Sequence, residues 1–410
     1  MQSPPSDLTW IEHGNITSPS GFSADAIFSG VKTYGEEPKF DLGILLSEDE
    51  CTVAGVFTQN SVTGWPVQRS RELLAKNTNF KGLIVNSGNA NTMTGPQGKI
   101  DGEDMCIQAA ALSNTLPSKI LNASTGVIGR RLPMATISTG IQSLQPSASG
   151  GHNFARSIMT TDTKVKECAI RFSVENQEYV IGGCAKGSGM IHPNMATMFG
   201  FITTDANVDP SWMQDTLKVT VDQTFNMLDI DMDTSTSDTV LMLASQKIGS
   251  PIDDEHPAAE SFKNALYLLS EKLVRDLAAD GEGATSLIQA QVKGTSSLQS
   301  ARNIARTIVS SPLIKTMVTG NDPNWGRVIM AIGKTEENIN QNKIKVLFGN
   351  NVVCENGSIS KKINIKKLNN YMKSKTIEIN VKLNLGKYFH TVHGNDLTFE
   401  YLKINADYRS

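Results

Sequence analysis

Aromatic residues make up only 6% of the sequence, and no run of about 18 apolar residues occurs in it. The first shortage argues against a greasy ligand cavity, the second against a membrane-crossing helix. A formal net charge of -3, with 19% charged residues, leaves no overall field that would recruit nucleic acid or an acidic membrane. Cys51, Cys106, Cys168, Cys184 and Cys354 include no C-x-x-C pair. Their odd number argues against a disulfide framework and for a reducing compartment. No basic stretch followed by an apolar one opens the sequence, so a soluble, cytoplasmic protein is expected. N-x-S/T tripeptides begin at Asn15, Asn122 and Asn356, but they recur by chance and nothing else points to secretion. What is plentiful is glycine, 33 residues, beside many Ser and Thr. Tight turns and small-residue sites follow, suited to a small polar metabolite.

At 410 residues the chain exceeds the roughly 250 to 300 at which single cores stop growing, so two lobes are expected. FDLGILLS near residue 40, CTVAGVFT from Cys51 and KGLIVNSGNAN from Lys81 read as separate strands entering loops. GEDMCIQAAALSNTL, between such runs, repeats apolar residues at threes and fours, and this alternation of strand and helix is that of an α/β fold. Asp209-Pro210 reads as the cap and first position of a helix through SWMQDTLKVTVDQTFNML. Phe262, Leu266, Leu269, Leu273 and Leu277 share one helical face, with Gly281 as a stop signal. Residues 299–315 read as one further helix through Ala301, Ile304, Ala305 and Ile308. From Lys334 to Lys387 there are eleven Lys and no Arg. TIEINVKLNL within that stretch alternates with period two, which predicts a solvated sheet face rather than an anion site.

Several motifs fail on their chemistry. LDIDMDTSTSDTV resembles an acidic calcium loop, but Thr234 and Val240 stand where its Gly turn and bidentate Glu belong. Gly333-Lys334-Thr335 ends like a phosphate loop, yet Val328 replaces the leading Gly. His390 and His393 lack a Glu between them or a nearby Cys, so they read as strand histidines and no metal is expected. What remains is a set of small-residue loops: NSGNANTMTG, NASTGVIGRR, KGSGMIHPNMATMFGFITTDA, DTSTSDT, DGEGAT, GNDPNWGR and the terminal INADYRS. Gly lets backbone approach a ligand, and successive N–H groups can stabilise an oxyanion.

The third loop sets Thr197 among Met195, Ala196 and Met198, ahead of the buried-strand run FGFITTDA. A Thr so placed is ordinarily unreactive, because an alcohol needs a base and a donor pair before it attacks, and spacing assembles no Ser/His/Asp set. Cutting the chain before Thr197 would supply that base: the freed α-amino group, which in an unstructured peptide titrates at about pH 8.

The same loop resembles the cleavage-site signature of the ornithine acetyltransferase family. NSGNAN, STGVIG, MTTDT, DTSTSDTVLMLA, DGEGAT, DPNWGR and INADYRS are similar to that family's blocks, in its order, from about residue 20 to 410. The resemblance implies a two-lobed α/β fold of N-terminal-nucleophile type, with mixed sheets layered by helices. Self-cleavage between Ala196 and Thr197 would give an α chain of residues 1–196 and a β chain of residues 197–410. It further implies a glutamate N-acetyltransferase of arginine biosynthesis, which moves acetyl from N2-acetyl-L-ornithine to L-glutamate by a ping-pong route through acetyl-Thr197. Thr125 and Gly126 would form the oxyanion hole, and Thr160, Lys186, Thr197, Glu282, Asn405 and Ser410 would bind substrate. Lys186 would pair with a carboxylate, Glu282 would hold an amine or move its proton, and Asn405 with Ser410 would take the remaining polar ends. No cofactor is implied; acetyl-CoA stands open as a co-substrate, since family members differ in using it. An α2β2 heterotetramer is expected, with no nucleic-acid or membrane partner. Ser237, Met232, Ser286 and Ser410 depart from the residues frequent in the family, as does HGNDLT, which lacks its Cys. The alternatives are a hydrolytic amidase or aminopeptidase of related fold and an uncleaved binding protein.

Overall fold

Burial alternates along the strand Thr376–Lys382, with Ile377, Ile379 and Val381 inside and Glu378 and Lys382 outside, as period two requires. The computed structural model describes residues 8–32, 39–76, 79–192 and 198–407. Among these residues the strands form two sheets, one of nine strands and one of seven.

The larger sheet runs Leu8–Ile11, Lys166–Val174, Gln177–Lys186, Phe199–Val208, Thr239–Ile252, Leu42–Phe57, Asn79–Asn89, Ile120–Val127, with Phe22–Ile27 also pairing on Leu42–Phe57. Helices Pro210–Gln223 and Ala259–Ala279 pack one apolar cluster against it, while Gly95–Leu112 and Met134–Ser143 close another at its far end. The smaller sheet joins Leu287–Thr295, Thr376–Lys382 and Tyr388–Asn395 to short flanking strands and has its own core, covered by helices Leu298–Val309, Pro312–Thr319 and Trp325–Gly333. Two sheets, each packed on apolar clusters of its own, match the two lobes expected from length. Among the described residues no helix is long and apolar enough to cross a membrane, and the five cysteines are buried and free.

Three elements differ from the sequence reading. FDLGILLS and CTVAGVFT belong to one 16-residue strand, Leu42–Phe57. Its polar Glu48–Asp49–Glu50 stretch is exposed where the register against Asn79–Asn89 slips between Leu46 and Cys51, so polarity marks an irregularity and not a strand end. The helix capped by Asp209, whose carboxylate accepts from the Ser211 and Trp212 N–H groups, stops at Gln223. Leu228 and Asp229 leave for the smaller sheet, pairing with His393 and Gly394, a tertiary contact that overrides helical propensity. Residues 299–315 are two helices because Pro312 has no N–H to donate and holds Ser311 in extended backbone. The helix Ala259–Ala279 buries Phe262, Leu266, Leu269, Leu273 and Leu277 as the periodicity predicts.

Strands from both sides of residue 197 interleave. Phe199–Val208 lies between Gln177–Lys186 and Thr239–Ile252, and the latter pairs in turn with Leu42–Phe57. The expected chains of residues 1–196 and 197–410 therefore both contribute strands to the larger sheet.

Candidate active site

Strand Ile120–Val127 runs parallel to Asn79–Asn89 and sets Thr125 beside Ser87 and Gly126 beside Gly88. Gly126 has φ +126°, and a Cβ there would lie 2.3 Å from the Gly88 carbonyl carbon, so any side chain would drive the two backbones apart. Thr125 is 2% exposed, and its Oγ1 accepts from Lys186 Nζ at 3.1 Å. An ammonium only donates, so the Thr125 hydroxyl hydrogen remains free to donate elsewhere. That is the donor an oxyanion hole needs.

Lys186 ends the strand Gln177–Lys186, fully buried. Burial pushes its amine below the usual range; Asp162, Asp238 and Glu282 oppose that fall, and Lys166 adds to it. Its strand register places it opposite Phe199, and its Nζ lies 5.9 Å from the centre of that ring. Residues directly past the expected cut are thus carried to the same place as Thr125. Met198 is fixed there by its N–H, which donates to Asp238 Oδ1 at 2.9 Å. Asp238 is wholly buried, and burial drives its carboxyl well above the carboxylate range against the pull of the Met198 N–H and Lys186.

The turn after Lys186 collects the remaining candidates. Gly187 N–H donates to Asp162 Oδ1 at 2.7 Å, and the Ser188 hydroxyl meets Thr161 Oγ1 at 2.6 Å. The Ser188 carbonyl accepts the Glu282 N–H at 2.7 Å. Gly189 passes so close to Glu282 that a Cβ would sit 2.6 Å from its carboxyl carbon. Thr160 donates its N–H to Asp162 Oδ2 at 2.9 Å. From the terminal helix Phe399–Asp407, Asn405 Nδ2 donates to Glu282 Oε2 at 2.8 Å. Contiguous contacts therefore link Thr125, Gly126, Thr160, Lys186, Glu282 and Asn405. Ala196, Thr197 and Ser410 lie outside the described residues.

Beneath the turn is a cluster whose two carboxylates lie in the MTTDT and DGEGAT blocks but whose lysine no motif singled out. Lys166 Nζ sits 2.6 Å from both Asp162 Oδ1 and Asp280 Oδ2, all three side chains being almost fully buried. Asp280 also accepts the N–H groups of Thr163 and Lys164. Burial alone would raise the Asp162 carboxyl, but Lys166, Lys186 and the Gly187 N–H outweigh it and hold it at about 2. A carboxyl lowered from 3.8 to about 2 stabilises the fold above the unfolded value and loses that contribution as pH falls through the folded one. Unfolding free energy is expected to drop by about 2 kcal/mol from this group between pH 4 and 2. Urea titrations across that window check it, and Asp162→Asn should flatten the dependence. The sequence signal for the cluster was the i, i+4 spacing of Asp162 and Lys166 inside MTTDTKVK.

His390 and His393 stand on the strand Tyr388–Asn395. Burial and the nearby Arg302 and Arg306 push His390 down to about 4, and His393 faces Glu271 at 3.5 Å. A cavity of about 720 Å³ opens beside them, between the helix Ala259–Ala279 and the strands of the smaller sheet, and touches none of the candidate residues. Cavity size and chemistry disagree here; the convergence of buried polar groups around Thr125 and Lys186 is the stronger guide, since size says nothing about reacting groups.

Residues 23–410 match the ArgJ family. The chain is 41% identical over 406 residues to the arginine biosynthesis bifunctional protein ArgJ of Dehalococcoides mccartyi, spanning 98% of this chain and 99% of that protein. To the protein of the same name from Oceanobacillus iheyensis it is 38% identical, over 98% of each. The crystal structure of arginine biosynthesis bifunctional protein ArgJ from Bacillus halodurans is similar at 38% identity and a TM-score of 0.50, with 51% of this chain covering 98% of that one.

Proposed function

The chain belongs to the ArgJ family, and on that premise we propose that it exchanges acetyl groups between N2-acetylornithine and glutamate in arginine biosynthesis, through Thr197. The observation that carries this reading is the Lys186–Thr125 bond at 3.1 Å, set opposite the strand that begins two residues after Thr197.

The chemistry follows from these positions. The Thr197 hydroxyl attacks the Ala196 carbonyl, the amide C–N bond breaks to free the Thr197 α-amine, and an ester forms; water then hydrolyses it, freeing the Ala196 carboxylate and restoring the Thr197 hydroxyl. Residues 1–196 become the α chain and residues 197–410 the β chain. The freed amine takes the proton from the Thr197 hydroxyl as it attacks the acetyl carbonyl of N2-acetylornithine. Thr125 and the Gly126 N–H hold the oxyanion, ornithine leaves with that proton, and the glutamate amine attacks the resulting acetyl ester. Glu282, held by Asn405, is suited to receive the substrate ammonium, and the family resemblance gives Thr160 and Ser410 further substrate contacts. The acetyl group travels on the protein's own hydroxyl, so this exchange requires no cofactor, and acetyl-CoA stays open as a second donor to the same hydroxyl. The Bacillus halodurans chain, nearly all of which is matched by half of this one, is a half-length polypeptide, which supports the cut. An α2β2 assembly in the cytoplasm belongs to the same reading.

Intact mass and N-terminal sequencing of the purified protein test it directly. Two chains are expected, one beginning at Thr197, and incubation with N2-acetylornithine should add one acetyl group to that chain alone. An uncut chain that takes up no acetyl would sink the reading in favour of a binding protein. Release of acetate without transfer to glutamate would favour a hydrolase. Thr125→Val keeps the shape and removes the donor, and is expected to slow both processing and transfer by about 10² to 10³, read from gel time courses and from kcat.

A further inference from the structure

Met198 is gripped on both sides of its backbone by two consecutive residues. Its N–H donates to Asp238 Oδ1 at 2.9 Å, and its carbonyl accepts the Thr239 N–H at 3.2 Å. Asp238 is held in turn from the neighbouring strand: its carbonyl accepts the N–H of Thr58 at 3.0 Å, the residue that follows Leu42–Phe57. Met198 and Asp238 are both buried, at 2% and 0% exposed, so the bond between them is made in a dry setting where it is strong. The amide that Asp238 grips is the one that joins Met198 to Thr197. It is planar, so whatever fixes its N–H also limits where the Thr197 Cα can lie.

Cutting raises the weight of that bond. In the intact chain residue 197 is attached at both ends; once it opens the β chain, its covalent attachment is through Met198 alone. A nucleophile has to meet its carbonyl carbon at about 3 to 3.5 Å, and a displacement of about 1 Å can cost about 10² in rate. We propose that Asp238 is the positioning residue of the Thr197 nucleophile: by accepting the N–H of the Thr197–Met198 amide it aims the hydroxyl, first at the Ala196 carbonyl and then at the acetyl carbonyl of the substrate. This assignment rests on the acetyl-exchange reading above. It asks the carboxyl to accept a hydrogen bond, and neither to carry charge nor to move a proton. Burial drives Asp238 well above the carboxylate range, and the Met198 N–H and Lys186 draw it back only in part. A neutral acid and an asparagine offer the same accepting oxygen.

Asp238→Ala and Asp238→Asn are compared with wild type for the time course of processing and for kcat and KM with N2-acetylornithine and glutamate, rates being expressed per Thr197 N-terminus counted by sequencing. Asp238→Ala is expected to slow processing and to lower kcat by about 10², with KM for both substrates nearly unchanged. Asp238→Asn should process and turn over close to wild type, with the same pH profile. Asp238→Ala at full speed would overturn the assignment. So would Asp238→Asn as slow as Asp238→Ala, because a charge or a proton would then be what matters. A KM that rises for both substrates as kcat falls would mean that the whole site has collapsed, and counts against it too. A folded Asp238→Ala chain that is never cut supports the assignment if Asp238→Asn restores cutting and opposes it if not. Should Asp238→Ala not fold, Asp238→Ser, polar but too short to reach the Met198 N–H, takes its place. Wild type that is never cut would end the reading through Thr197 as a whole, whereas cut wild type matched by Asp238→Ala would end the role of this residue alone.

Discussion

Thr197→Ala is expected to accumulate as one uncut polypeptide of 410 residues with no measurable acetyl transfer, the largest effect any single change here should have. In the proposed route the hydroxyl is needed twice: once to convert the Ala196–Thr197 amide into an ester, and again to carry the acetyl group. Alanine cannot do either, and the uncut chain also lacks the α-amine that serves as base. The loss should be chemical and not structural. Met198 remains tethered to Asp238, and Phe199 to its register with Lys186 and Thr239. Thermal unfolding close to that of wild type, together with the uncut mass, checks both halves of this expectation. Thr197→Ser keeps the hydroxyl and should still process. Cleavage in Thr197→Ala would mean an external protease and end the proposal of self-processing.

Lys166→Met is expected to cost about 3 to 5 kcal/mol of folding free energy, the typical penalty for removing one partner of a buried ionic group. Lys166 stands between Asp162 and Asp280, 2.6 Å from an oxygen of each, and no solvent is at hand to replace it. Two carboxylates would then share one dry site, and one of them would have to take up a proton. The damage should spread to function, because Asp162 holds Gly187 and Thr160 while Asp280 holds Thr163 and Lys164. Chemical denaturation reads the stability, and the degree of processing reports the geometry of the turn. Pairing Lys166→Met with Asp280→Asn should recover part of the loss, because the second change removes one of the stranded charges. A loss under about 1 kcal/mol would place this cluster with ordinary surface pairs.

Legibility from sequence followed the range of the interactions. The helix Ala259–Ala279 could be read because its apolar face is a local repeat, and the cap at Asp209 because its carboxylate bonds residues two and three positions on. What failed was settled by distant partners: Leu228 leaves its helix to pair with His393, and the polar break at Glu48–Glu50 does not end a strand that Thr239–Ile252 and Asn79–Asn89 support from both sides. The site divided the same way. Thr125, Gly126, Thr160, Lys186, Glu282 and Asn405 were reached through family motifs and come together in space. Spacing alone would have left each a turn or surface residue. Lys166 was missed because its i, i+4 spacing to Asp162 is a common pattern, and what distinguishes it is burial between two carboxylates, which the sequence does not record.

The interleaving of Phe199–Val208 and Thr239–Ile252 with strands from the other side of the proposed cut bears on the order of biogenesis. On the self-cleavage proposed above, the sheet has to be assembled before the bond is severed, since folding is what sets Lys186 and Thr125 opposite the strand that opens at Phe199. Folding then draws on a tethered strand at high effective concentration. Once the bond is gone the tether goes with it, and renaturation becomes an encounter of two molecules, slower at greater dilution. The mature protein is expected to persist through the height of its unfolding barrier more than through reversible equilibrium. Recovery after denaturation should therefore depend on protein concentration for the processed form and be independent of it for uncut Thr197→Ala.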